Sequence, residues 1–170
     1  SMEMADLILF LVDGKEGLTG LDEEIAEKLR RSGKPVALLV NKVDAHSHEQ
    51  NLADFYRLGF ADTFLVSAEH GLGMTDFWDY LNDFLSQREN DLKHEVIGDG
   101  EEEEPRISFC FVGKPNVGKS SLTNAVLRSN RMIVSPVPGT TRDTIKQDFE
   151  MPRPNGGEWK FTLYDTAGLR

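Results

Sequence analysis

The stretch Gly113-Lys114-Pro115-Asn116-Val117-Gly118-Lys119-Ser120 constrains this chain more than any other, because it fits GxxxxGK[ST] between an apolar run at 107–112 and a helical pattern that starts at about Lys119. Such a loop works only where a strand delivers it and a helix N-terminus receives it. Its glycines let backbone N–H groups curl around an anion, and the helix adds a partial positive charge. At average glycine usage a chance match is on the order of one in a hundred for a chain of this size, so a phosphate-binding loop is the expected reading. Lys119 is then placed to reach the β and γ phosphates and Ser120 to bind Mg²⁺, with Gly113, Val117, Gly118 and Ser121 completing the cradle.

The remaining pattern agrees with that start. Residues 7–12, 36–40 and 64–66 are short apolar runs, as expected for strands covered on both faces. Each is followed by a helical stripe: Leu21, Ile25 and Leu29; then Leu52, Phe55 and Tyr56; then Met74, Phe77, Trp78, Leu81, Phe84 and Leu85. The Phe77, Trp78 and Tyr80 cluster fits core packing better than a base-stacking platform. After the phosphate loop, a helix is expected over 119–129. A hairpin follows, with arms at 145–151 and 159–164 and its turn at 152–157. Alternating strands and helices predict an α/β fold with a mostly parallel six-stranded sheet and one antiparallel edge strand.

Further motifs lie at the ends of these strands, where ligands gather in open α/β sheets. Asn41-Lys42-Val43-Asp44 is weak by itself, since a polar tetrapeptide after a strand is usually a turn. Its chemical case is that the Asp44 carboxylate can accept from both guanine N1–H and the exocyclic amine, a donor pair adenine lacks. Ser67-Ala68 is weaker alone. Asp165-Thr166-Ala167-Gly168 offers Asp165 to Mg²⁺ through water and the Gly168 N–H to a γ-phosphate, or is an ordinary strand-end turn. Thr140 and Thr141 offer hydroxyls to the metal, or form part of a Pro/Gly turn. With a phosphate loop in the same chain, the joint reading is a guanine-nucleotide site. Its base-reading parts precede its phosphate-reading parts, so the motif order is circularly permuted.

Composition sets bounds on this reading. With 170 residues, 39% of them hydrophobic, the chain can bury about two-thirds of its unfolded surface. No apolar run approaches the roughly 20 residues of a membrane span, which favours a cytoplasmic protein with no membrane partner. The net charge of −10 argues against direct nucleic-acid binding. Five acids crowd residues 99–104, as in a solvated linker. Cys110 sits in an apolar strand and reads as a small buried hydrophobe. Ser1-Met2 has the look of an expression scar and the chain stops at Arg170 directly after a motif, so an excised fragment is expected.

The phrases GKPNVGKSSLTN, PGTTRD, DTAGLR, NKVD and SAEHGLG resemble the translation-factor-related GTPases, and among them the bacterial tandem-domain GTPases of ribosome assembly. That resemblance implies a base-recognition half at 1–89, an acidic linker at 90–105 and a phosphate-binding half at 106–170. It implies slow GTP hydrolysis, with GTP or GDP as ligand and Mg²⁺ as cofactor. Asn41 and Asp44 would read guanine, Lys42 would lie under the base and the Ala68 backbone would meet O6. Lys119, Thr141, Gly168 and Asn116 would carry the catalytic roles, Thr141 as the switch I metal ligand and Asp165 with Gly168 as the switch II pair. Leu169 stands where Ras-like proteins carry the water-orienting glutamine, and related GTPases use K⁺ there instead, held partly by the residue matching Asn116. The parent protein is expected on the ribosome. The alternatives are a naturally permuted ribosome-assembly GTPase and a non-catalytic interaction fragment. A monomer closed by pairing 107–112 against 7–12 is favoured over a swapped or face-to-face dimer.

Overall fold

The longest uninterrupted apolar run forms strand β1 (Leu7–Asp13), and all seven residues are buried. The reason is visible in their alternation. Leu7, Leu9 and Leu11 belong to one hydrophobic cluster, whereas Ile8, Phe10 and Val12 belong to another on the opposite face of the sheet. A strand sandwiched this way has no position for a polar side chain until its end, where Asp13 stands. The computed structural model describes residues 2–44, 49–95, 106–128, 133–135, 140–141 and 144–165.

The other elements follow in order: α1 (Gly20–Arg31), β2 (Val36–Asn41), α2 (Glu49–Tyr56), β3 (Asp62–Leu65), α3 (Met74–Glu95), β4 (Ile107–Val112), α4 (Lys119–Arg128), β5 (Ile133–Ser135), β6 (Thr140–Thr141), β7 (Thr144–Pro152) and β8 (Glu158–Asp165). Helix α1 starts in a capping box, with the Thr19 side chain accepting from the Asp22 N–H while Asp22 accepts from Thr19. Helix α3 runs on to Glu95, so residues 90–95 of the expected linker are helical.

The sheet has the order β3-β2-β1-β4-β8-β7-β5, with β6 pairing β7 as well. Five neighbouring strands, from β3 to β8, are parallel, and β7 is antiparallel to β8. The expected six strands are all present, and the short β5 and β6 extend the sheet beyond β7. The central join pairs the two predicted strands: Leu7 pairs Phe109 and Phe10 pairs Val112, in parallel. Asp6 fixes its register. Its carboxylate accepts from the Ser108 N–H at 2.8 Å and pairs with Arg88 at 3.0 Å.

Helix α3, through Phe77, Trp78, Leu81 and Leu85, and helix α4, through Leu122, cover one face of the sheet. Helices α1 and α2 cover the other, through Ile25, Leu29 and Phe55. Phe10, Phe55, Phe77 and Phe109 are fully buried, each contributing about 1.5–3 kcal/mol by leaving water. Cys110 is buried too, as expected of a small hydrophobe. Leu21 and Tyr56, expected in helical stripes, are instead exposed.

The hairpin β7–β8 sends Phe149, Met151, Trp159, Phe161 and Leu163 toward α3. Its opposite face pairs Asp148 with Thr162, Glu150 with Lys160 and Lys146 with Tyr164. Among the described residues that face is therefore polar. At the turn, Arg153 pairs with Glu89 of α3 at 2.9 Å and lies 4.2 Å over the Trp159 ring.

Candidate functional site

Because β1 to β4 run parallel, the loops that leave their carboxyl ends meet on one edge of the sheet. Residue 41 ends β2 beside Asp13 of β1, the phosphate-loop sequence leaves β4, and Ser67-Ala68 follows β3. The last of these is tightened by a bridge between Ser67 and Leu72. Gly73 then passes so close to β3 that a Cβ would fall 2.0 Å from the Leu65 carbonyl oxygen, so only glycine fits.

Asn41 is the hub of this edge. It is 2% exposed, and its amide donates to the Val117 carbonyl at 2.9 Å while its Oδ1 accepts from the Ala68 N–H at 3.0 Å. The Ala68 N–H, expected to meet guanine O6, is thus given to Asn41 in this structure. Gly118 lies against the same amide, where a Cβ would come within 2.2 Å of Asn41 Nδ2.

Lys42 adopts φ +64°, and its Nζ donates to Asp13 Oδ2 at 2.7 Å and to the Asn116 carbonyl at 2.8 Å. Asp44 pairs with Lys15 at 3.2 Å. Lys119 bends over the loop, its Nζ 3.4 Å from the Gly113 carbonyl. Ser120 is exposed in the first turn of α4, and Asn116 is exposed at φ +66°.

Asn41, Lys42, Asp44, Ser67, Gly118 and Ser121 line one cleft of about 80 Å³. A wider cavity of about 570 Å³ opens beside it, sharing Glu69, His70 and Ser121. Residues as far apart in the chain as Asn41 and Ser121 therefore face one space. Thr140 and Thr141 form β6 and Asp165 ends β8, but the side chains of all three lie outside the described residues, as do Thr166, Ala167, Gly168 and Leu169 entirely. Among the described residues, no three His, Cys, Asp or Glu side chains cluster as a ready-made metal site.

Three charged residues missed in the sequence complete the picture: Asp13, Lys15 and Lys114. Burial pushes the Asp13 carboxyl up, but the Lys42 ammonium and the N–H groups of Glu16 and Lys15 outweigh it, so its pKa is lowered. Lys114 is almost fully buried, pairing with Glu16 at 2.6 Å and approaching Asp22 at 3.6 Å. Burial alone would depress its pKa, yet the bond to Glu16 and the charge of Asp22 raise it. The only sequence signals were an acid ending an apolar strand and a lysine inside a glycine loop, and neither shows which partner it meets.

The strand order, the loop between β4 and α4 and the cleft beside it define a P-loop GTPase domain. The family described as 50S ribosome-binding GTPase matches residues 108–170. The chain is homologous along its whole length to part of GTPase Der: it is 48% identical over 170 residues to the Clostridium acetobutylicum protein and 49% over 172 residues to that of Clostridium botulinum, in each case 100% of this chain and 36% of the relative. The chain thus spans about a third of the length of these relatives. The crystal structure of YjeQ from Thermotoga maritima superimposes with a TM-score of 0.53 at 19% identity, covering 97% of this chain and 48% of that one, a likeness of fold alone.

Proposed function

We propose that this chain binds guanine nucleotides in the cleft between β2, β3 and the 113–120 loop and hydrolyses GTP slowly, and that the longer protein it represents works on the ribosome. The observation that carries the reading is the single cleft lined by both Asp44 and Gly118, which sets the Asp44 carboxylate beside the 113–120 loop. The relatives named GTPase Der and the ribosome-binding family match support the same reading. Residues 1–89 act as the base-recognition half and 106–170 as the phosphate half, joined through an acidic linker. A monomer closed by the β1–β4 pairing completes the sheet without a second chain. No helix among the described residues is long and apolar enough to cross a membrane, in keeping with a cytoplasmic role.

In this reading the N–H groups of the 113–120 loop and the α4 N-terminus bind the phosphates. Lys119 leaves the Gly113 carbonyl for the β and γ phosphates, and Asp44 exchanges Lys15 for the guanine N1–H and amine. Exposed on the first turn of α4, the Ser120 hydroxyl is a hard oxygen donor of the kind Mg²⁺ prefers; Thr141 and Asp165 complete its holders. Mg²⁺, when bound, neutralises charge on the phosphates. Asn116 would help hold K⁺, which would supply positive charge to the phosphates where Leu169 offers no polar side chain.

Calorimetric titration with GDP and ADP tests the reading. GDP should bind at least about a hundredfold more tightly, because adenine leaves the Asp44 carboxylate unmatched. Lys119→Ala should cost most of the GDP affinity, and Asp44→Asn should shift preference toward xanthosine diphosphate. Equal binding of ADP and GDP overturns the base-reading assignment.

A further inference from the structure

The 113–120 loop is anchored to the first 89 residues at three points. Asn41 holds the Val117 carbonyl and Lys42 the Asn116 carbonyl. The third anchor runs the other way, from Lys114 of the loop to the corner between β1 and α1. We propose that Lys114 is a positioning residue for the phosphate loop, its buried ammonium fixing the loop so that the N–H groups that take the β phosphate are in place before nucleotide arrives. This rests on the phosphate-loop reading above.

The geometry makes this anchor rigid at both ends. Gly113 packs so tightly on β1 that a Cβ would sit 2.5 Å from the Leu11 carbonyl oxygen, which pins the start of the loop. One residue on, the Lys114 side chain is only 10% exposed and reaches Glu16, Asp22 and the Thr19 hydroxyl. Asp22 cannot follow a moving lysine. Its Oδ2 is held by the Thr19 N–H at 3.0 Å and the Thr19 hydroxyl at 2.8 Å inside the α1 capping box, and its side chain is fully buried. Its Oδ1 is buried with no hydrogen-bond partner among the described residues, so this carboxylate depends on the Lys114 ammonium for charge compensation.

Downstream of Lys114 the loop takes left-handed conformations at Asn116 and Gly118. A non-glycine residue stays in that region only where surrounding contacts over-determine it. Without the Lys114 anchor the loop would be held at residues 116 and 117 but free to swing between Gly113 and Asn116. The consequence falls on the phosphates and spares the base, since Asn41, Asp44 and Ser67 are set by β2 and β3.

The test is competition by guanosine and GDP against a fluorescent GDP on the full chain. Lys114→Met, which keeps the apolar stem, should weaken GDP about tenfold, the scale of one lost charge-assisted contact. Guanosine, with no phosphate, should stay within about twofold, and Lys114→Arg should retain GDP affinity. Unchanged GDP affinity in Lys114→Met overturns the proposal, as does an equal loss for guanosine and GDP, which marks a merely structural role. Absence of GDP binding by the unaltered chain would instead defeat the phosphate-loop reading. A further variant carries the same criteria should Lys114→Met fail to fold: the double variant Lys114→Met/Asp22→Asn, which removes both buried charges together.

Discussion

Replacing Asn41 by alanine isolates what holds the two segments together at the site. Asn41 makes two buried hydrogen bonds, 2.9 Å to the Val117 carbonyl and 3.0 Å from the Ala68 N–H. Alanine removes both while leaving the backbone groups in place. A buried polar group that loses its partner costs about 1–3 kcal/mol, and entry of water at the cleft recovers part of that, so the expected loss is about 2–4 kcal/mol. Against a typical domain stability of about 5–15 kcal/mol, that is a large share. Asp44→Ala, on the same cleft, gives the contrast. Its pair with Lys15 is 24% and 61% exposed at the two ends, and such pairs contribute about 0–1 kcal/mol. Guanidinium unfolding followed by circular dichroism, without nucleotide, measures both. The midpoint of Asn41→Ala should fall at unchanged slope, well below that of Asp44→Ala. A loss under about 0.5 kcal/mol, or equal losses for the two variants, would refute the argument that Asn41 bridges the halves.

Acid stability follows from Asp148. Burial raises its pKa, but bonds from the Thr162 hydroxyl and Arg106, both at 2.7 Å, win and lower it. A depressed pKa gives stability that is complete above the unfolded aspartate value of about 4 and is lost as pH falls through the lower folded value. Asp148→Asn should flatten the decline of stability below about pH 4, and parallel curves for the two proteins would refute this. Hydrolysis should run faster in KCl than in NaCl. Asn116→Gly, which tolerates the positive φ, should erase the difference; equal rates in the two salts would remove K⁺ from the reading.

Much of the fold is legible because local patterns decide it. A continuous apolar run such as 7–12 has only one low-energy place, between two layers of helix, and GxxxxGK[ST] after a strand can only be a strand-loop-helix turn. The hairpin arms are likewise a short-range signal. The end of α3 is not, since residues 90–95 carry a single apolar side chain, Leu92, and only the fold shows that it packs on the core beyond Leu85. The exposed Leu21 and Tyr56 show the converse, because periodicity marks a helix but not how far its buried stripe extends.

The sequence by itself therefore determined the six main strands, the four helices, the mostly parallel sheet and the β1–β4 join, since each depends on neighbours or on matching apolar runs. Only the tertiary structure decided which polar groups meet across the join. Nothing near Lys114 in the chain points to Asp22, and nothing near Asn41 points to Val117. Such partners are 76 to 92 residues apart, and a hydrogen bond or ion pair depends on ångström-scale placement that no residue pattern carries. Asn41 reads from its motif as a base contact, and only the fold shows that its amide also joins the Val117 carbonyl to the Ala68 N–H.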